Sequence, residues 1–209
     1  LHPKFPGGGL LAQATPVDLA GLEKLEGLYS VQAGSGHFGP EVVVRSTRRA
    51  VSIFAAKNAS YAVLGAGCLD GGQRLVLEGY YRYAASADTG LVRLFVEPAA
   101  HARALCGVGP APTDGSEPRL AGDSGEGEAL PDQSLTLARD RALSPIAGKF
   151  MVVGHRGGCR TIDDCGASEN SLELIRMAEG LGATAIEVDA QLTQDGVPVL
   201  FHDEYLSAR

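Results

Sequence analysis

The chain has 209 residues, of which 44% are hydrophobic and 21% charged, with a formal net charge of −7. That length holds one large domain or two modest ones, and the composition is globular. The negative balance without a basic stripe argues against nucleic acid as a partner, and no apolar run approaches the ~20 residues a membrane helix needs.

The N-terminus, LHPKFPGGGLLAQATP, lacks a charged region followed by an apolar core and a small-residue cleavage site, so it does not read as an intact signal peptide. Residues 1–20 read as a flexible leader. From 21 to 106 the chain is β-rich: EVVVRS, AVSIFAA, YAVLGA, RLVLEGYYRY and GLVRLFVE are short runs of β-branched, aliphatic and aromatic residues. In RLVLEGYYRY, Leu75, Leu77, Tyr81 and Tyr83 share one face and Glu78 and Arg82 the other, the period of two of a half-buried strand. Hairpin signals fall at Leu69-Asp-Gly-Gly-Gln73 and Ala87-Asp-Thr-Gly90. The expected fold of this part is an antiparallel β barrel or sandwich. Asn58-Ala-Ser60 fits a glycosylation acceptor, but an ordinary turn is the simpler reading. His37, in a Gly-rich loop, reads as a loop residue. No recognisable chemistry lies here, which leaves a ligand-holding barrel and a structural or docking module both open.

Gly, Pro, Ser and acids dominate from 107 to 134, and no hydrophobic periodicity survives. Such a segment buries too little apolar surface to offset the entropy of ordering it, so it reads as a linker. The four cysteines fall into two pairs, Cys68 with Cys106 and Cys159 with Cys165. Two such pairs suggest disulfides and an oxidising compartment, hence a secreted or periplasmic protein. Reduced thiols are the alternative. A metal cage is disfavoured because no Cys-x-x-Cys pair occurs.

The pattern changes in residues 135–209. Met151-Val-Val-Gly154 is a short apolar strand of the kind buried on both faces in a parallel sheet. His155 and Arg156 stand at its C-terminal end, and Gly157 and Gly158 let the backbone turn. Asn170 can cap a helix with Glu173 reaching back, Leu172, Ile175 and Ala178 form its apolar stripe, and Gly182 is its stop. A second strand, 183–190, puts Glu187 and Asp189 on one face, roughly 7 Å apart at their Cα atoms. Asp195-Gly196 makes a turn, and a third strand, 197–201, ends in His202-Asp203. This order points to an α/β barrel with chemistry at its strand ends, where His155, Glu187, Asp189 and His202 would share one rim.

These residues resemble the start of the glycerophosphodiester phosphodiesterase family. The resemblance rests on His155-Arg156-Gly157, Glu169-Asn170, Glu187-Val188-Asp189, Thr193-Gln-Asp-Gly-Val-Pro-Val199 and His202-Asp203, in that order, over about 55 residues. It implies the first strands and helix of a (β/α)8 TIM barrel, incomplete in this chain. It also implies metal-dependent hydrolysis of a glycerophosphodiester or lysophospholipid-type substrate. Glu187 and Asp189 would hold a divalent cation, Ca²⁺ or Mg²⁺; Arg156 would neutralise the phosphodiester; His155 and His202 would divide acid and base duties. Glu169 and Asn170 would shape the site. Against the family's usual short link, residues 158–168 make a detour containing Cys159 and Cys165, read as a disulfide-pinned lid or specificity loop. About 75 residues cannot build a barrel that needs ~250, so further chain or a partner would have to complete it. The alternative reading is a β-rich binding or docking protein carrying a non-catalytic barrel remnant.

Overall fold

The computed structural model describes residues 2–47, 50–84, 86, 88–144, 148, 151–160 and 165–205. The chain divides into two compact units, residues 2–145 and 146–209.

In the N-terminal unit, β1 (Thr15–Pro16) is followed by eight longer strands. These are β2 (Gly27–Ala33), β3 (Glu41–Ser46), β4 (Val51–Ala55), β5 (Ser60–Leu69), β6 (Arg74–Tyr83), β7 (Thr89–Glu97), β8 (Arg119–Ser124) and β9 (Gln133–Arg141). Each pairs antiparallel with the next from β2 to β9, and β9 pairs back onto β2. The result is a closed up-and-down barrel of eight strands, which settles the open choice between barrel and sandwich. Alternation fills its interior: Val42 and Val44, Val51 and Ile53, Ala62 and Leu64, Leu75 and Leu77, Val92 and Leu94, and Leu135 and Leu137 join one buried core. Phe38, from the short helix α1 (Ser35–Phe38), and Leu22 and Leu25, from the turn Leu19–Leu25, enter the same core.

The segment read as a linker contains β8 and the start of β9, so the unit boundary lies near residue 145 and not at 107–134. Strand β8, with the sequence RLAGDS, is nearly unreadable by propensity. It forms because β7 and β9 both offer it hydrogen bonds, and its Leu120 is fully buried. Helix α2 (Ala99–Leu105) lies between β7 and β8, and the predicted Cys68–Cys106 disulfide ties its end to β5 with 5.9 Å between Cα atoms.

The N-terminal residues are not a free leader. They lie against the outer wall of the barrel: β1 pairs with β5 at Gly67 and Cys68, the His2 ring stacks on Tyr80 at 4.1 Å, and the Arg93 guanidinium sits 4.8 Å above the Phe5 ring. Gly67 leaves room for this approach, since a Cβ there would stand 2.5 Å from that of Ala14. The covered face explains a second departure from the simple alternation. Glu78, on the outer face of β6, is only 3% exposed. One carboxylate oxygen accepts from Arg93 Nε at 2.5 Å and the other from the Leu11 N–H at 3.0 Å.

The C-terminal unit opens with β10 (Val153–Gly154), which pairs parallel with β11 (Ala185–Ile186), and helix α3 (Leu172–Gly180) connects the two. The cap of α3 is Ser171, whose Oγ accepts from the Leu174 N–H, and not Asn170. Its buried face is Leu174 and Ala178, whereas Leu172 is exposed, so the expected stripe is out by part of a turn. The helix does stop at Gly182: the Ala183 and Gly182 N–H groups donate to the carbonyls of Ala178 and Glu179, a Schellman arrangement. The single strand expected over 183–190 is broken after Ile186 and resumes as β12 (Ala190–Leu192). The third strand, β13 (Pro198–Leu200), runs antiparallel to β12 as a hairpin and does not extend a parallel sheet. The three-residue connection 194–196 imposes this. Thr193 and Val197 close it, and Gly196 takes φ 78°, as a type I turn with a left-handed third residue requires.

Two outcomes test this description. Replacing Glu78 by Gln removes the charge that Arg93 and the N-terminal segment share, and should cost about 2–3 kcal/mol in urea unfolding of the barrel. Burial raises the Tyr81 hydroxyl from 10.0 to about 12, and it raises Tyr29 as well. The unfolded chain therefore ionises first as pH rises, so stability should hold up to about pH 10 and decline towards 12, as followed by alkaline titration of unfolding.

Candidate active site

Strand β10 ends at Gly154, and the chain turns at once through His155–Gly157 with Arg156 at φ 52° and Gly157 at φ 87°. A Cβ on Gly158 would stand 2.7 Å from that of Ala178, so only glycine lets the turn lie on α3. The parallel pairing delivers Glu187 to this turn. Its N–H donates to Gly154 O at 2.9 Å, its carbonyl accepts from the Gly157 N–H at 2.8 Å, and its carboxylate accepts from the Arg156 N–H at 2.9 Å. His155 Nε2 lies 3.9 Å from the same carboxylate.

The Arg156 side chain, 16% exposed, is the centre of the cluster. One terminal nitrogen lies 3.3 Å from Glu169, the other donates to His202 Nε2 at 2.7 Å, and Nε is 3.9 Å from Asp189. That Nε is buried and has no hydrogen-bond partner among the described residues. Because a guanidinium only donates, His202 Nε2 must carry its lone pair and Nδ1 its proton, which Asp203 accepts at 2.9 Å.

Asn170 explains why it does not cap the helix. Its Nδ2 donates to the Asp189 carboxylate at 3.0 Å, and its Oδ1 accepts from the Asp189 N–H at 3.1 Å. It sits at φ 60°, a conformation asparagine tolerates, and is 6% exposed. This double bond of one side chain to one residue fixes Asp189 beside Arg156.

The structure thus brings His155, Arg156, Glu169, Asn170, Glu187, Asp189 and His202 into one cluster. Asp203 is an addition: it follows His202 directly, and adjacency of a carboxylate to a histidine was the signal available for its role. Two carboxylates, Glu169 and Asp189, flank the guanidinium, and Glu187 and Asp203 stand beside the two histidines, an excess of negative charge suited to a further cation. Among the described residues, however, no three His, Cys, Asp or Glu side chains converge as a metal cage. Glu187 and Asp189 fit such an ion in donor type, as hard oxygens, but would be only two ligands of a shell that water and substrate oxygens would have to extend. The predicted Cys159–Cys165 disulfide forms, with 6.4 Å between Cα atoms, while residues 161–164 of the expected lid lie outside the described residues.

Among the described residues no helix is long and apolar enough to cross a membrane. Comparison with known proteins finds similarity in the same segment. The glycerophosphoryl diester phosphodiesterase family model matches residues 155–208. Glycerophosphodiester phosphodiesterase 1 of Rattus norvegicus is 49% identical over 65 residues, covering 30% of this chain and 18% of the relative. A glycerophosphoinositol inositolphosphodiesterase of Homo sapiens is 43% identical over 74 residues, 35% of this chain and 12% of the relative. A glycerophosphocholine phosphodiesterase of Schizosaccharomyces pombe is 36% identical over 81 residues, 36% of this chain and 7% of the relative. The chain therefore spans less than a fifth of the length of these relatives. No solved structure matches it significantly. Residues 155–208, which carry the whole cluster around Arg156, are therefore similar in sequence to the glycerophosphoryl diester phosphodiesterase family.

Proposed function

We propose that the cluster hydrolyses glycerophosphodiesters to an alcohol and glycerol phosphate. The observation that carries this reading is the buried Arg156 Nε, a donor with no hydrogen-bond partner among the described residues, in a cluster that also holds two histidines. A phosphodiester oxygen is the acceptor this donor lacks, and the guanidinium would neutralise charge developing on the phosphoryl group. His202, whose Nδ1–H is held by Asp203 and whose Nε2 lone pair accepts from Arg156, and His155, beside Glu187, would share proton transfer to and from the attacking and leaving oxygens. Glu187 and Asp189 would hold Ca²⁺ or Mg²⁺, which would lend further positive charge to the phosphodiester when bound. Glu169 holds Arg156 in place and Asn170 holds Asp189. In this reading residues 146–209 are the opening of a (β/α)8 barrel that further polypeptide completes. Both disulfides support a secreted or periplasmic setting.

The test is release of free alcohol from glycerophosphocholine and related diesters by this chain together with the polypeptide that completes its barrel, with Ca²⁺, Mg²⁺ or chelator. Turnover that needs the cation and falls about 100-fold or more in His155→Ala and in His202→Ala is the expected result. Wild-type rates in either variant would remove that histidine from the mechanism. A completed barrel that binds no cation and releases no alcohol would favour a β-barrel binding or docking protein over a hydrolase.

A further inference from the structure

Gln191 stands on β12 directly across from Val199 of β13. Its amide nitrogen lies 2.8 Å from the carbonyl oxygen of Phe201, 3.2 Å from that of His202 and 3.0 Å from that of Asp203. Three consecutive carbonyls therefore converge on one side-chain amide, which has two hydrogens to give, so at least one bond is shared. Carbonyl dipoles pointing at a common centre repel one another unless a donor occupies it. The residues so gathered are those that leave β13 and carry the imidazole that meets Arg156.

We propose that Gln191 is a positioning residue for His202. By collecting the three carbonyls it fixes the 201–203 turn, which keeps His202 Nδ1–H on Asp203 and aims Nε2 into the cluster. This rests on the reading of His202 as a proton-transfer group, and gives that reading a support outside the family motif residues quoted above. Gln191 touches neither Arg156 nor either carboxylate of the Glu187–Asp189 pair in any hydrogen bond among the described residues, so its effect must pass through the backbone of the turn.

The imidazole nitrogens of His202, observed by NMR in the full chain with ¹⁵N-labelled histidine, report the clamp without any need for turnover. The wild type should show one tautomer, protonated at Nδ1. Gln191→Glu keeps the shape, removes both donors and sets a negative charge against three carbonyls. It should average His202 between tautomers, while Gln191→Lys, which restores donors, should keep the wild-type signature. A single unchanged tautomer in Gln191→Glu would overturn the proposal, as would averaging in the wild type. In the diester assay, Gln191→Glu should lower kcat between about ten- and a hundredfold with KM unchanged, and a rise in KM alone would count against positioning. Absence of turnover in the wild-type completed barrel would tell against the phosphodiesterase reading and leave the tautomer result to judge the clamp.

Discussion

Strand β9 lies antiparallel to β2, from Leu28 opposite Arg141 to Ala33 opposite Thr136, and that pairing turns eight strands into a cylinder. Without it, β2 and β9 would each present a row of unpaired N–H and C=O groups to water or to another chain. With it, all eight inner faces meet and the large side chains Tyr29, Phe38 and Tyr81 have somewhere to go. Two register shifts along β2 show where the two strands adjust to one another as the sheet closes. Closure also creates an outer wall that needs cover where β6 and β7 carry Glu78 and Leu91. The N-terminal segment meets that need with Phe5 and Leu11, so its order is a consequence of the barrel and not of its own sequence.

The C-terminal unit relies on different forces. Here a short parallel pair sets Glu187 against a strained turn, and a single guanidinium gathers residues from three parts of the segment. Burial contributes little beyond Leu174 and Ala178. Polar groups that are half withdrawn from water attract more strongly than they would at the surface, and leaving any one of them alone is costly. Asn170 illustrates the trade: it accepts an uncommon backbone conformation, gives up a helix cap to Ser171, and in return satisfies both the side chain and the main chain of Asp189.

The legible parts of this molecule were those in which one residue type has one physical use. Period-two alternation identified β6, Gly182 ended α3, and His155, Arg156, Glu187, Asp189 and His202 announced a shared site by their order. Both cysteine pairings were also readable from spacing. What escaped was whatever another part of the chain decides. Strand β8 has poor β propensity and takes its conformation from its neighbours, so composition alone made it a linker. The leader has no periodicity because it is ordered by a wall it cannot see in its own sequence. The hairpin β12–β13 reads as a further barrel strand because the order of elements outweighs the Asp195-Gly196 turn chemistry. Gln191 was invisible as a contributor, since its partners are main-chain carbonyls and a carbonyl has no letter in a sequence.

The uneven distribution of buried side chains has a calorimetric consequence. Nearly every fully buried apolar residue among those described belongs to the barrel. Heat capacity and enthalpy of unfolding scale with the surface exposed, so a melting curve of this chain is in essence a record of the barrel. The segment that holds the histidines would contribute a small, broad signal under that peak, and one unfolding free energy would not describe both. An intact transition is therefore no guarantee that the geometry around Arg156 survives, and conditions chosen to maximise thermal stability would optimise the barrel and not that cluster.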